Sequence, residues 1–168
     1  MNNRSIFVSV LFLITCIAYE LSAQIVSQPI TWRSKTVTFE NNIHEIQIVG
    51  TFDEEYREWH IYDLGPYKDG ITHTSLSIDS IDGVKLIGKT YLITKAMKTF
   101  DELLGMEIGI CEDIVVVAQK VNVTSVDSVT FKACVKWQAC DYHSCLPPTL
   151  KEFVIKLPGN RKQTPFTK

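Results

Sequence analysis

An excess of either charge is missing from this sequence. Its 168 residues carry 17 Lys and Arg against 19 Asp and Glu, a net charge of −2. That balance lacks the electrostatic footprint needed to hold nucleic acid or an anionic lipid surface. There is no Gly-rich phosphate loop, no Ser/His/Asp arrangement and no second Cys-x-x-Cys or His-x-x-x-His. Those absences argue against phosphate cradling, hydrolytic catalysis and a closed zinc site. Internal repeats and low-complexity tracts are lacking too. Long apolar runs are scarce, with one at the N-terminus and no second.

That run has the form of an export signal. Arg4 supplies a positive start, Ile6 to Tyr19 is apolar except for Ser9, Thr15 and Cys16, and Leu21-Ser22-Ala23 ends on a small residue. A run of this type (about 7–15 residues) suits a secretory signal and is short for a membrane span of roughly 20. An uncleaved anchor, or lipid attachment at Cys16, is the alternative. The expected division is a signal peptide over 1–23, one domain over 24–158 and a polar tail over 159–168. The mature form should not span a membrane. Export leaves Cys111, Cys134, Cys140 and Cys145 where disulfides persist. Four cysteines allow three full pairings, and spacing does not choose among them.

What the chain does have is strand patterning. Lys35 to Phe39, His44 to Phe52, Glu58 to Tyr62, Thr72 to Ile78, Val84 to Ile87 and Ile114 to Val123 read as strands. Val129, Phe131, Ala133, Val135 and Trp137 form the clearest alternation, with Lys132, Cys134 and Lys136 on the opposite face, and Phe153, Ile155 and Leu157 close the pattern. Many short strands with brief polar connections indicate an all-β fold, an immunoglobulin-like antiparallel β-sandwich. Lys95 to Leu104 is expected to be a helix or a loop.

Chemistry concentrates in Trp137-Gln138-Ala139-Cys140-Asp141-Tyr142-His143-Ser144-Cys145-Leu146-Pro147-Pro148. The segment lies between two strands, so it is a loop or hairpin tip on a rigid support. Two cysteines five positions apart there can reach the separation a disulfide needs. So small a ring constrains the unfolded chain less than a 15-residue loop, which is worth about 3 kcal/mol, so stapling is a weak motive for it. His143 lies between the sulfurs in sequence, where a protonated imidazole would favour the attacking thiolate. A structural bridge with a solvated histidine stays open beside an exchanging one. Zinc on Cys140, His143 and Cys145 is the remaining alternative, disfavoured for want of a second ligand pair.

Ala139-Cys140 through Cys145-Leu146-Pro147-Pro148, followed by Glu152 and Phe153, resembles the N-terminal periplasmic domain of the thiol:disulfide interchange protein DsbD. Phe100-Asp101-Glu102-Leu103-Leu104-Gly105 is similar to that family's cap loop, and Trp59-His60-Ile61-Tyr62 to its aromatic strand near the active site. The likeness runs over roughly residues 30 to 158. It implies an immunoglobulin-like fold and a periplasmic redox relay of the protein-disulfide reductase type, working without a bound cofactor. Electrons would come from a thioredoxin-like or membrane thiol-transporter donor and pass to disulfide-bearing periplasmic clients. Cys145 would form the mixed disulfide and Cys140 resolve it; Asp101, Glu102 and Leu103 would form the cap, with His60, Tyr62 and His143 near the redox loop. The chain departs from the family in enclosing only four residues between the cysteines and in placing Leu103 where a Phe shields the bridge. With no multi-helix membrane segment or thioredoxin-like domain following, the donor is expected in trans. The competing function is a non-catalytic immunoglobulin-like binding or adhesion domain with a structural disulfide.

Outside the motif, Cys111 and Cys134 could form a second bridge or remain thiols. His44 and His73 are expected on the surface, Glu54, Glu55 and Glu58 as a solvated charge run, and Trp32 and Trp137 in core or edge packing. Asn122-Val123-Thr124 is formally a glycosylation acceptor.

Overall fold

Period-two alternation decides where most strands lie, and it does so best where one face is fully buried. The computed structural model describes residues 28–67, 71–102 and 105–160. The expected signal segment and nearly all of the expected tail fall outside them. The strands are β1 (Ile30–Thr38), β2 (Ile43–Phe52), β3 (His60–Tyr62), β4 (Ser75–Ile78), β5 (Val84–Leu92), β6 (Met97–Asp101), β7 (Met106–Cys111), β8 (Ile114–Val123), β9 (Val129–Trp137), β10 (Ala139–Cys140) and β11 (Thr149–Leu157). They pair as three antiparallel sheets, ordered β1-β2-β8-β5, β10-β3-β7-β6 and β11-β9-β4. The fold is an all-β antiparallel sandwich.

One core joins the three sheets. Ile46, Ile48, Val117 and Val121 come from the first, Phe131, Val135, Trp137 and Leu157 from the third, and Ile61, Cys111 and Ala139 from one face of the second. Ile46 and Ile48 are wholly buried, and each aliphatic side chain taken fully from water contributes about 1.5–3 kcal/mol. Trp32 and Trp137 lie in this core with ring centroids 5.2 Å apart.

Four expectations change. Lys95 to Leu104 contains strand β6, not a helix, and Leu103 and Leu104 lie outside the described residues. Its Met97, Lys98, Thr99 and Phe100 are all exposed, so no one-sided period betrays the strand; pairing with β7 makes it. Strand β5 continues past Ile87 to Leu92 through an irregularity between Ile87 and Tyr91. There Gly88 takes φ 67°, a left-handed conformation suited to glycine, and the Gln119 side chain donates to the Ile87 carbonyl at 3.0 Å. Strand β1 starts at Ile30, with Ile30 and Trp32 as its core face, while Phe39 lies beyond its end and is exposed.

The fourth change is His44, which is buried rather than on the surface. Its Nδ1 lies 3.1 Å from Thr38 Oγ1, and burial lowers its pKa. The unfolded chain therefore takes up a proton near pH 6.5 that the folded chain resists. The associated stability is complete above that value and starts to be lost as the pH falls below it. His60, also lowered by burial, acts with the same sign. Urea midpoints measured between about pH 5 and 7 should fall on acidification, and His44→Gln should flatten that slope. An identical slope in the variant would refute the assignment.

Candidate redox site

The hairpin after β9 is built by its polar residues. The Asp141 carboxylate accepts from the backbone N–H of His143 at 2.8 Å, the N–H of Ser144 at 2.6 Å and the Ser144 hydroxyl at 3.3 Å. This is the side-chain turn that aspartate is suited to make. The Asp141 N–H donates to the Ser144 carbonyl and the Leu146 N–H to the Ala139 carbonyl, both at 2.9 Å. Cys140 and Cys145 thus face each other between two hydrogen-bonded pairs, in the kind of position where opposed side chains come closest. Their Cα atoms are 4.0 Å apart and their sulfurs are bonded at 2.06 Å. At the base, Gln138 accepts from the Thr72 N–H at 3.3 Å and donates to the Leu146 carbonyl at 3.1 Å.

Register carries the pair into the second sheet. Cys140 is opposite His60 and Ala139 opposite Ile61, while Ile61 is opposite Cys111 and Tyr62 opposite Ile110. Alternation then sorts the residues by face. Ala139, Ile61 and Cys111 enter the main core, and Cys140, His60, Tyr62, Ile108 and Ile110 share the other face. On that face Cys140, Tyr62 and Ile108 are buried as a small cluster, packed by Tyr67, Ile71, Met106 and Ile110. The two sulfur-bearing residues therefore differ: Cys140 is 1% exposed, whereas Cys145 is exposed.

An aromatic row adjoins Cys140. His60 meets Tyr62 edge-on at 5.6 Å, and Tyr62 meets Tyr67 at 6.1 Å. The Tyr67 hydroxyl donates to Asp63 and accepts from the Gly109 N–H at 2.6 Å, and Lys98 Nζ donates to Asp63 at 2.7 Å. Burial would raise the Asp63 pKa, but the bonds from Lys98, Tyr67 and the Gly65 N–H outweigh it, and the net shift is downward. Burial, aided by Asp63, pushes Tyr67 up to about 12. Tyr62 is raised by burial and by the charge of Asp101. His60 is lowered by burial, opposed by Glu112 and Asp141. Asp141 is lowered by the backbone N–H groups it accepts from.

The residues expected around the site are brought together unevenly. His60 and Tyr62 flank Cys140 on one face. His143 is exposed on the turn. Asp101 closes β6 opposite Met106, on the same face as Tyr62, and its charge reaches the Tyr62 phenol. Glu102 is exposed beside it, and Leu103 lies outside the described residues. Cys111 and Cys134 are unpaired thiols, the first buried and the second half-buried. Burial drives Cys111 up to about 11. Asp141 and Gln138 are functional residues outside the expected set, although Asp-x-x-Ser between two cysteines is a readable turn signal. The Asp63–Tyr67–Gly109 contacts had no local signal at all, since Tyr67 and Gly109 are 42 positions apart. Among the described residues, no group of three His, Cys, Asp or Glu side chains is placed to hold a metal ion, and no helix is long and apolar enough to cross a membrane.

No family model and no curated protein matches this chain. Solved structures do. The reduced N-terminal domain of DsbD from Neisseria meningitidis is 16% identical with a TM-score of 0.49, over 76% of this chain and 86% of its own. The N-terminal periplasmic domain of ScsB from Proteus mirabilis is 10% identical with a TM-score of 0.52, over 80% of this chain. The ScsB domain shares this fold. This chain spans about half of that one, 48% of its length.

Proposed function

We propose that this chain is an exported thiol–disulfide exchange domain that passes electrons to disulfides of periplasmic clients through Cys140 and Cys145. The observation that carries the reading is the asymmetry of the bridge, one cysteine exposed at a hairpin tip and its partner buried against the sheet. Thiol–disulfide exchange needs one sulfur that a partner can reach. A second that the partner cannot reach then releases the product instead of starting a new reaction. The Cys-Leu-Pro-Pro motif and the fold shared with a periplasmic domain support the same reading. Cys145 is the attacking sulfur, Cys140 resolves, and Asp101, Glu102 and Leu103 form the cap that limits access. Residues 1–23 direct export, 24–158 form the working domain, and a thioredoxin-like or membrane thiol-transporter protein supplies electrons in trans.

Equilibrating the chain with glutathione redox buffers and counting free thiols tests this. The bridge should have a potential near that of thioredoxin-like proteins, about −270 mV or higher. A value below about −300 mV is that of a structural staple, and would give the chain to the binding-domain alternative.

A further inference from the structure

Burying one sulfur of an exchanging pair creates a proton problem. The attacking species is the thiolate, and an exposed Cys145 can exchange its proton with water. Cys140 is sealed among Tyr62, Ile108 and their neighbours, so in the reduced state its S–H needs a base inside the protein. The groups facing it are few. Tyr62 and Tyr67 are phenols raised further by burial. Asp141 is engaged by three donors of its own turn and is weakened as a base by them. His143 sits out on the exposed turn. Asp101 on β6, opposite Met106, and Glu112, just past β7, lie on the far side of β3 from Cys140. The remaining candidate is His60, directly across the β3–β10 ladder from Cys140, where facing Cβ atoms are about 4.5–5.5 Å apart.

We propose that His60 is the proton-transfer partner of Cys140, accepting the thiol proton in the resolving step and returning it in the reverse step. The inference rests on the exchange reading above and adds a proton path to it. In the mixed disulfide, Cys145 Sγ is bonded to a partner sulfur and Cys140 is a thiol. The Cys140 S–H gives its proton to the neutral His60 ring, and the thiolate attacks Cys145 Sγ. The Cys140–Cys145 bond forms, the Cys145–partner bond breaks, and the partner leaves as a thiolate that is protonated by the imidazolium or by water. The domain's two thiols are oxidised to one disulfide, and the two sulfurs of the partner's disulfide are reduced.

The surroundings of His60 suit both halves of this cycle. Burial keeps the ring neutral and able to accept, while Glu112 beyond β7 and Asp141 on the hairpin favour the imidazolium once formed. Tyr62, on its own strand, packs edge-on and holds the ring plane. Glu112 and Asp141 are the charged groups that act on its titration, and the Tyr62 phenol and the reduced Cys140 thiol are the other ionisable groups that face it.

The test uses the full reduced chain and dithiobis(nitrobenzoate) as the disulfide probe. Acid quenching and peptide mapping follow the aryl adduct at Cys145, so the thiols of Cys111 and Cys134 do not interfere. Formation of the adduct reports attack by Cys145, and its decay reports attack by Cys140. In the wild type the decay rate should rise with pH through the titration of the His60 ring, followed by NMR in the same protein. In His60→Gln the decay should slow at least about tenfold near pH 7 and lose that inflection, with formation changed less than about twofold. Decay of unchanged rate and pH profile in the variant would overturn the proposal. So would equal slowing of both phases, which is the mark of a merely structural residue. If the variant does not fold, the wild-type comparison decides alone, and an inflection that does not coincide with the His60 titration rejects the role. A chain that forms no Cys145 adduct overturns the exchange reading itself, and this inference with it.

Discussion

Cys140→Ala should turn the chain into a trap that accumulates mixed disulfides through Cys145, whereas Cys145→Ala should yield almost none. The two substitutions delete one sulfur each from the same bridge, so a purely structural disulfide predicts similar behaviour for both. Their expected difference comes from burial. Cys145 stands on an exposed turn, and Cys140 is 1% exposed and packed by Tyr62 and Ile108. Burial both bars a reagent and works against the thiolate, the species that reacts. Alkylation by iodoacetamide at pH 7, mapped by mass spectrometry, should therefore be at least about tenfold faster at Cys145 in Cys140→Ala than at Cys140 in Cys145→Ala. Rates within a few-fold of each other would remove the asymmetry on which the proposed function stands.

Trp137→Ala should cost about 3–5 kcal/mol of folding stability, among the largest losses available to a single substitution. Trp137 is 3% exposed, ends β9 and packs against Trp32, itself 2% exposed, with the ring planes tilted by 53°. Truncation removes the apolar area, leaves a cavity and strips the ring partner from Trp32, a pairing worth about 0.5–1.5 kcal/mol by itself. Urea denaturation at neutral pH measures the loss. Tyr142→Ala on the exposed turn provides the contrast, because Tyr142 is 77% exposed and should stay within about 0.5 kcal/mol of wild type. A Trp137→Ala loss under about 1 kcal/mol would mean that this end of β9 is not fastened to the core.

Legibility in the sequence followed burial. Strands β8 and β9 read with their observed bounds because each carries a long buried apolar series between turn residues. Strand β6 is illegible in the sequence because it is exposed along almost its whole length. The second half of β5 was hidden by the irregularity around Gly88. His44 looked like a surface residue because nothing local says that the ring of a polar residue will be covered. At the site, Cys140 and Cys145 were conspicuous as a motif, and His60 and Tyr62 came with it through the family likeness. Their sorting onto one face with Cys140 required the β3–β10 register, a contact between positions about eighty apart in sequence. The contrast between a buried Cys140 and an exposed Cys145 arises from that register and from no local pattern.

The place of the hairpin in its sheet has one more consequence. Strand β10 is two residues long and lies at an edge of the second sheet, where the outer side of Cys140 is met by Cys145 of its own hairpin. Pro147 and Pro148 follow almost at once and have no N–H to offer. A visiting chain finds no usable backbone ladder to extend here, so the edge is protected against strand addition and the aggregation that follows from it. Contact with any polypeptide at this point is left to side chains and to a covalent bond made for reversal. A docking mode without main-chain pairing reads little of a visitor's sequence and lets it go easily.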